Sequence, residues 1–289
     1  MTDKQTVLVI GATGMLGEPV ARRLVADGFS VRVLHRDLDR ARARLGDGFE
    51  YVQGDVEQPD TIKQAIQGCD GVHISVGVNP AATDPERLEH QAPSNVARAA
   101  AQAGTRRITL TSGSMLTPDN LWHPVQKAKY AGEMAVKECG VPYSIFACTA
   151  SMESLAMFIQ GKSAMVPGKQ NYTWHFFAAD DFARMVSRAY QLPAAENKHF
   201  YVHGPEALTS VEALQFYCSI FHPNIKVSRM PLFMMKLMGI LTFNKEIKFF
   251  ANLMAYIEKA PEQGDPTEAN DILGAPTTTL AQWCELRKS

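Results

Sequence analysis

Three glycines near the start of the chain are spaced so that a nucleotide phosphate could bind to the backbone. The stretch "TVLVIGATGMLGEPVARRLV" (6–25) places Gly11, Gly14 and Gly17 between an apolar run and a helical pattern. In a strand, turn and helix unit, the first glycine permits the turn, the second lets a pyrophosphate approach, and the third allows close packing. The helix N-terminus then offers free N–H groups and the positive end of its dipole.

The spacing of this motif leaves two interpretations open. It is G-x-x-G-x-x-G rather than G-x-G-x-x-G, so a tight turn without a ligand is the alternative to a nucleotide site. The motif follows the first apolar run of an alternating chain, and "GD" (Gly54 and Asp55) closes a later run, where an adenine could be met. This context favours nucleotide binding.

The residues after the second apolar run bear on which nucleotide binds. NAD sites usually have an acidic residue at this point, which binds the ribose hydroxyls and repels a 2′-phosphate. Here His35 takes that position and Arg36 follows it, and a guanidinium can hold a phosphate with two hydrogen bonds. The sequence therefore favours NADP(H). NAD(H) stays open, because Asp37 could supply the acidic group while Arg36 is a surface charge.

Two irregular segments contain aromatic residues and histidines that could form a substrate pocket. They read "NLWHP" (120–124) and "NYTWHFF" (171–177), and each carries a Trp-His pair. His123 could donate a proton, and a flat acceptor could stack on an aromatic ring, so the expected substrate residues are Trp122, Met152 and Trp174. Plain packing is the alternative for each. A metal site is not expected, because His199 and His203 share one strand face without a third ligand nearby.

The elements that must position these residues alternate along the chain. Helical patterns lie between most of the short β-branched runs, which occur at 6–10, 30–35, 49–53, 71–76, 106–111, 143–147 and 199–203. This alternation predicts an α/β protein with a doubly wound parallel Rossmann sheet and a small C-terminal substrate lobe. We expect the cofactor-binding core over 1–150, continuing through about 177–205, and the substrate lobe over 151–176 and 206–289.

Composition and charge exclude several classes of protein. The 29 Lys and Arg residues nearly balance the 30 Asp and Glu residues, giving a net charge of −1, so nucleic acid is not an expected partner. The five cysteines are scattered and never spaced as C-x-x-C, which argues against disulfides and a zinc site. Without the pattern of a secretory signal, a cytoplasmic location is expected.

One apolar tract near the C-terminus needs a separate interpretation. "MPLFMMKLMGILTF" (230–243) is too short to span a bilayer, so no transmembrane segment is expected. Its methionines suit adaptable packing against a core, a hydrophobic ligand or another subunit. Core packing is favoured, and docking on a membrane surface, a protein partner or a second copy in a homo-oligomer is the alternative.

Several motifs together resemble the atypical short-chain dehydrogenase/reductase superfamily, and within it the NmrA-like NAD(P)H-binding proteins. They are "GATGMLG", "HRD", "GD", "NVARAAAQAG" leading into "RRITLTSGS", and "KAKYAGEMAVKECGVPYSIF". The resemblance implies a Rossmann fold, an NADP-type cofactor and a substrate cleft at the carboxyl ends of the strands. It does not imply catalysis, since such proteins include quinone and dye reductases but also redox-sensing regulators and an accessory subunit of respiratory complex I.

The resemblance makes Lys129 the family lysine but leaves the catalytic tyrosine without a counterpart. In the superfamily a tyrosine precedes this lysine by four residues, and the ammonium lowers the phenol pKa and binds the nicotinamide ribose. Val125 stands at that position, and Tyr130 points about 100° away from Lys129 on the helix. The superfamily serine falls at Gly113. The remaining residues expected at the cofactor are Thr13, Met15, Leu16, Val76, Gly77 and Ser112.

The missing tyrosine restricts the expected chemistry. Reduction of a ketone needs a proton donor at the forming alkoxide, whereas a quinone or another conjugated acceptor delocalises the charge after hydride transfer. The sequence therefore favours an NADPH-dependent oxidoreductase for a small hydrophobic conjugated molecule, with Lys129 holding the ribose and His123 as a second catalytic candidate. The alternative is a non-catalytic NADP(H)-binding redox sensor or accessory subunit.

Overall fold

A seven-stranded parallel sheet forms the centre of the computed structural model, which describes residues 4–77 and 84–288. Its strands are paired in the order β10-β6-β5-β4-β1-β2-β3. In chain order they are β1 (Thr6–Ile10), β2 (Ser30–His35), β3 (Glu50–Gln53), β4 (Gly71–Ile74), β5 (Arg107–Gly113), β6 (Tyr143–Cys148) and β10 (Lys198–Val202). The order reverses between β1 and β4, and in open α/β sheets ligands bind at the carboxyl ends of the strands beside such a reversal.

Helices cover both faces of the sheet, so the predicted doubly wound fold is confirmed. Along β1, Val7 and Val9 enter the apolar cluster on one face, while Leu8 and Ile10 enter the cluster on the other. Strands buried on both faces require such continuous apolar runs. The helices in chain order are α1 (Gly17–Ala26), α2 (Leu38–Leu45), α3 (Pro59–Ile66), α4 (Ala92–Ala103), α5 (Pro124–Glu138), α6 (Ala179–Gln191), α7 (Ser210–Phe221), α8 (Leu232–Leu241), α9 (Lys245–Ile257), α10 (Thr267–Leu273) and α11 (Leu280–Leu286).

A smaller lobe follows the predicted segments only in part. Two small sheets lie outside the core, formed by β7 (Ile159–Gln160), β8 (Ser163–Pro167) and β12 (Val227–Met230), and by β9 (Thr173–His175) and β11 (Ala207–Thr209). They share an apolar cluster with α7 and α11. In contrast, Ala269 and Leu273 of α10 pack into the cluster on the α1 side of the central sheet. The division of the chain into core and lobe therefore stays a prediction, with α10 as a part of 206–289 that contacts the core.

The preference for core packing of the tract 230–243 is wrong, because most of its large side chains are exposed. Phe233, Leu237, Leu241 and Phe243 are between 51% and 91% exposed, and Gly239 is the buried residue of α8. A helix that is apolar all round gives no signal of which side faces the protein. Among the described residues, no helix is long and apolar enough to cross a membrane.

A buried histidine in the central sheet predicts a loss of stability in acid. His73 is fully buried, its Nδ1 lies 2.8 Å from the Thr109 hydroxyl, and that hydroxyl lies 2.9 Å from the hydroxyl of Tyr190. Burial lowers the pKa of His73 from 6.5 to about 3, so between these values the unfolded chain binds a proton that the folded chain does not. The free energy of unfolding should therefore fall by about 1.4 kcal/mol per pH unit as the pH drops through this window.

Urea unfolding from pH 7 to pH 4 measures this contribution against a non-titrating variant. His73→Gln should show a shallower loss of stability than the unsubstituted protein below pH 6.5, whereas His222→Gln, which alters a partly exposed histidine, should keep the original slope. Equal slopes in all three proteins would show that His73 is protonated in the folded state.

Candidate functional site

The glycine turn after β1 has the geometry that its spacing predicts. Gly11 has a φ of +87°, and a Cβ there would lie 2.1 Å from the backbone oxygen of Ser75. A Cβ on Gly17 would lie 2.1 Å from the Gly11 oxygen, so this position needs glycine for the close approach of α1 to β1. Among the described residues, the Gly11 oxygen is the one atom within 4 Å of a Cβ on Gly14, at 3.1 Å. No described side chain therefore fills the space beside Gly14.

The residues between the glycines also leave room for an anion. Leu16 precedes the first helical residue of α1 and provides no side-chain cap. Pro19 has no N–H and the N–H of Glu18 donates to the Gly14 oxygen at 3.1 Å, which leaves the N–H of Gly17 in the described structure to bind a phosphate. Met15 is 39% exposed, and its sulfur lies 3.3 Å from the Ser151 hydroxyl beyond the end of β6. The Thr13 hydroxyl lies 3.2 Å from Nε2 of His35. These contacts place the turn at the carboxyl edge of the sheet.

The end of β2 presents Arg36 rather than an acidic group. The Asp37 carboxylate accepts a hydrogen bond from the N–H of Arg40 at 3.0 Å and caps α2. His35 Nδ1 accepts from the N–H of Asp37 at 3.0 Å, which fixes its ring beside Thr13. The Arg36 side chain is exposed, with no ion pair in the part of the chain that the structure describes. The guanidinium is thus accessible to a ligand at the end of β2, and its role at a 2′-phosphate stays a prediction.

The expected residues after β3 and β4 lie at the same edge of the sheet. The Asp55 carboxylate accepts a hydrogen bond from the N–H of Glu57 at 3.0 Å, so it orders its own turn. Val76 is half-buried, and its backbone nitrogen would lie 3.5 Å from a Cβ on Gly11. Gly77 is exposed. Val76 therefore borders the glycine turn, Gly77 is the next residue along the chain, and Asp55 contributes backbone order on the far side of β2.

Lys129 lies near the end of β6 and forms an ion pair that the sequence did not predict. Its Nζ is 2.7 Å from Oε2 of Glu89, which is 5% exposed and belongs to a π-helical segment, Glu86–Gln91. Lys129 also acts electrostatically on Cys148, the last residue of β6, whose thiol pKa is raised by burial. One turn earlier on α5, Val125 is 5% exposed. The position of the superfamily tyrosine is thus a buried aliphatic side chain.

A second carboxylate, Glu133, is buried one turn after Lys129. It is 2% exposed and lies 3.2 Å from His199 Nε2 and 3.1 Å from Lys137 Nζ. Burial acts to raise the pKa of Glu133, but the hydrogen bond with His199, with support from Ser112 and Lys137, holds that pKa below its usual value. Ser112 therefore lies beside this ionised carboxylate. Spacing along the chain reveals neither the Glu89–Lys129 pair nor the Glu133–His199 pair, since these residues meet through the fold, whereas Glu133 and Lys137 are one helical turn apart.

His123 and Trp122 form an aromatic cluster with a residue from the C-terminal part of the chain. The His123 ring lies 5.0 Å from the ring of Tyr256, and the exposed Trp122 ring lies 5.3 Å from it. Burial lowers the pKa of His123, so this ring is neutral at pH 7. The Tyr256 hydroxyl donates to the Met115 oxygen at 3.1 Å, and burial raises its pKa to about 12. The exposed Trp122 ring is accessible to a flat ligand, and the ring of Tyr256 packs against it.

Two of the expected substrate residues lie inside the small lobe. Trp174 is 4% exposed and Met152 is 1% exposed, and both belong to the apolar cluster that includes Trp283. These positions correct the expectation that they line an open cleft, because apolar residues of an irregular segment can equally fill a core. An open groove of about 800 Å³ along α1 and α6 is lined by residues that include Met15, Arg22 and Arg287, but not Lys129 or Trp122.

Comparison with protein families decides the family. The model of the NmrA-like family matches residues 3–266. The chain belongs to the NmrA-like family. The resemblance inferred from the glycine turn and the Lys129 helix is therefore confirmed over nearly the whole chain.

The relatives to which this chain is similar differ in function. The chain is 30% identical over 213 residues to an NAD(P)H azoreductase from Xenophilus azovorans, covering 71% of this chain and 70% of that protein. It is 25% identical over 239 residues to a photosystem II assembly factor, Ycf39, from Trieres chinensis, covering 81% of this chain and 75% of the relative. Membership of the family therefore does not decide between an enzyme and an assembly factor.

Solved structures agree on the fold. An NADPH-dependent quinone oxidoreductase from Escherichia coli, solved with NADPH, has a TM-score of 0.77 at 18% identity and covers 98% of this chain and all of its own. A triphenylmethane reductase from Citrobacter, complexed with NADP(H), has a TM-score of 0.75 at 18% identity, with 97% of this chain and 99% of that chain covered. The expected cofactor class is thus the one that these Rossmann-type neighbours hold.

Proposed function

We propose that this NmrA-like protein is an NADP(H)-dependent oxidoreductase that transfers hydride to a hydrophobic conjugated acceptor such as a quinone. The observation that carries the proposal is the placement of Lys129 near the end of β6, at the sheet edge that also holds the uncapped glycine turn. Exposed Trp122 precedes the same helix, α5. The azoreductase relative supports a conjugated acceptor.

The residues present fit an NADP(H) cofactor. The backbone beside Gly14 and the N–H of Gly17 would hold the pyrophosphate, Arg36 the 2′-phosphate, and Lys129 a ribose hydroxyl. The bound cofactor supplies a hydride, which is two electrons and a proton equivalent, to the acceptor. Lys129 stabilises the negative charge that the acceptor gains, and water delivers the second proton. A quinone then leaves as a hydroquinone.

The buried Val125 explains why such an acceptor is favoured over a simple ketone. The tyrosine position offers no hydroxyl, and neutral His123 is packed against Tyr256 rather than against Lys129. An alkoxide formed from a ketone would lack a positioned proton donor, whereas a reduced quinone or azo compound delocalises its charge. NADPH oxidation with quinones, azo dyes and aliphatic ketones tests this. Turnover should appear with the conjugated acceptors and be absent with ketones; turnover of ketones alone would contradict the proposal.

A second candidate function is an accessory protein without turnover, which the assembly factors among the relatives support. Separately from either function, we propose that the exposed side chains of Phe233, Leu237, Leu241 and Phe243 pack against a second copy of this chain, because they form an apolar surface and closed symmetric dimers are the commonest assemblies of soluble proteins. A cytoplasmic location likewise stays a prediction.

Light scattering on the purified protein tests the dimer. The unsubstituted chain should have twice the mass of its sequence, and Leu237→Asp with Leu241→Asp should halve that mass at unchanged circular dichroism. Glu246→Lys, which also changes the charge of an exposed residue nearby on α9, is the control and should remain dimeric. A monomeric unsubstituted protein would contradict the proposed contact.

A further inference from the structure

Three side chains from distant parts of the sequence converge at the carboxyl end of the edge strand β10, and none of them is assigned to the cofactor. His175 ends β9, His203 follows β10, and Glu262 lies in the segment between α9 and α10. The N–H of His175 donates to Oε2 of Glu262 at 2.7 Å. The segment that contains Glu262 is thereby held against the end of β9.

The ligand-type atoms of these residues point at one another. His175 Nδ1 is 2.5 Å and His203 Nδ1 is 3.4 Å from the same oxygen, Oε1 of Glu262. The three ligand atoms all lie within 4.8 Å of one another. The side chains of His203 and Glu262 are 9% and 10% exposed, while that of His175 is 39% exposed. The cluster is thus enclosed by protein on two sides and reachable from solvent on the third.

The hydrogen bond at Nε2 of His203 shows which ring nitrogen carries the hydrogen. Nε2 lies 3.2 Å from the backbone oxygen of Gln263, which can only accept, so Nε2 carries the hydrogen. In the neutral ring, Nδ1 then presents a lone pair to the Glu262 carboxylate. Two acceptors facing each other at 3.4 Å repel unless a cation lies between them. A backbone carbonyl on the second ring nitrogen is also the usual environment of a metal-bound histidine.

One proton shared between His175 Nδ1 and Oε1 of Glu262, which lie 2.5 Å apart, satisfies that pair but leaves Nδ1 of His203 facing the same oxygen. The rings of His175 and His203 are stacked with their centroids 5.2 Å apart and an interplanar angle of 14°. Protonating both would place two cations face to face beside a single carboxylate, which is unfavourable for the second proton. One divalent ion satisfies both ring nitrogens and the carboxylate at once.

We propose that His175, His203 and Glu262 form a binding site for a divalent transition-metal ion of the zinc class. Two imidazole nitrogens and one carboxylate oxygen match this class of ion, whereas magnesium and calcium prefer oxygen ligands alone. The fourth position faces solvent on the side of His175 and is left to water. The ion fastens the segment around Glu262 to β9 and to the end of β10, so it stabilises the packing of the C-terminal part on the sheet.

The sequence led us to expect no metal site, because the histidine pair that it suggested, His199 and His203, had no third ligand nearby. In the structure these two histidines turn to different partners. His199 and His203 are four residues apart, but His199 turns to Glu133, with its Nε2 at 3.2 Å, while His203 joins His175 and Glu262. The third ligand follows His203 by 59 positions and lies in a segment without regular secondary structure. No spacing pattern along the chain connects these residues.

Cobalt and zinc binding to the untagged, chelator-treated protein tests the proposal. We expect one Co²⁺ per chain with the absorption of a four-coordinate ion, competition by Zn²⁺, and a higher melting temperature in Zn²⁺ than in chelator. Glu262→Gln and His203→Gln should each weaken binding by at least about 100-fold and remove the thermal shift. His222→Gln, which alters a histidine outside the cluster, should bind as the unsubstituted protein does.

The outcomes are distinguishable. Absence of a stoichiometric ion, or equal binding by Glu262→Gln and the unsubstituted protein, would overturn the site. If His222→Gln lost as much metal binding as the cluster variants, the binding would be adventitious only, and the proposed site would be overturned as well. Melting temperatures in chelator show whether each variant folds, so a lost thermal shift in a folded variant reports on the metal. None of these measurements depends on the proposed reductase activity.

Discussion

Arg36→Ala is expected to weaken binding of NADPH and NADP⁺ by about 30-fold while leaving NADH and NAD⁺ unchanged. A charged hydrogen bond contributes about 2 kcal/mol, and each 1.4 kcal/mol corresponds to about a factor of 10 in affinity. Arg36 is exposed at the end of β2, and the neighbouring Asp37 carboxylate is engaged in capping α2. The phosphate of the adenosine ribose therefore has the Arg36 guanidinium to bind, while the Asp37 carboxylate is occupied by the helix cap.

Titration of the four nucleotides by calorimetry measures the effect, and a matched arginine controls for net charge. Arg40→Ala removes an equally exposed positive charge from the first turn of α2 and should change no affinity by more than about twofold. Equal loss of NADH and NADPH binding in Arg36→Ala would mean that Arg36 supports the fold of the turn. Tighter binding of NADH than NADPH by the unsubstituted protein would instead favour Asp37 as the ribose ligand.

Features set by neighbouring residues could be predicted from the sequence. The continuous apolar run Val7 to Ile10 requires a strand covered on both faces, and Gly11 and Gly17 are needed wherever a helix turns back closely on such a strand. Both are local rules of chain geometry. The fold class and the glycine turn therefore followed from spacing alone.

Features set by contacts between distant segments could not be predicted in this way. Glu89 meets Lys129 across 40 positions, and Tyr256 reaches Met115 across 141. An apolar residue in an irregular segment gives the same pattern whether it fills a core, as Trp174 does, or faces solvent, as Phe243 does. Periodicity carries information only where a regular element has two different faces.

Lys129→Met is expected to lower kcat/KM for NADPH-dependent reduction of a quinone by about 100-fold. The substitution keeps the length of the side chain but removes the charge that binds the ribose and stabilises the reduced acceptor, which costs about 3 kcal/mol. Met would also remove the ammonium that now lies 2.7 Å from the buried Glu89 carboxylate. A loss of folding could then imitate a loss of catalysis.

The double variant Lys129→Met with Glu89→Gln separates these two causes. It removes the positive and the negative charge of the ion pair together, so the net charge beside the π-helical segment does not change. Its melting temperature should therefore be close to that of the unsubstituted protein. Its loss of kcat/KM should equal that of the single variant. Lys127→Met, on the exposed side of α5, is the matched control and should be fully active. Full activity in the double variant would exclude Lys129 from the reaction. A third outcome is that NADPH binds but neither the unsubstituted protein nor Lys127→Met reduces any acceptor. Lys129 would then contact the ribose without any hydride transfer. Its role would be to recognise the cofactor in an accessory protein.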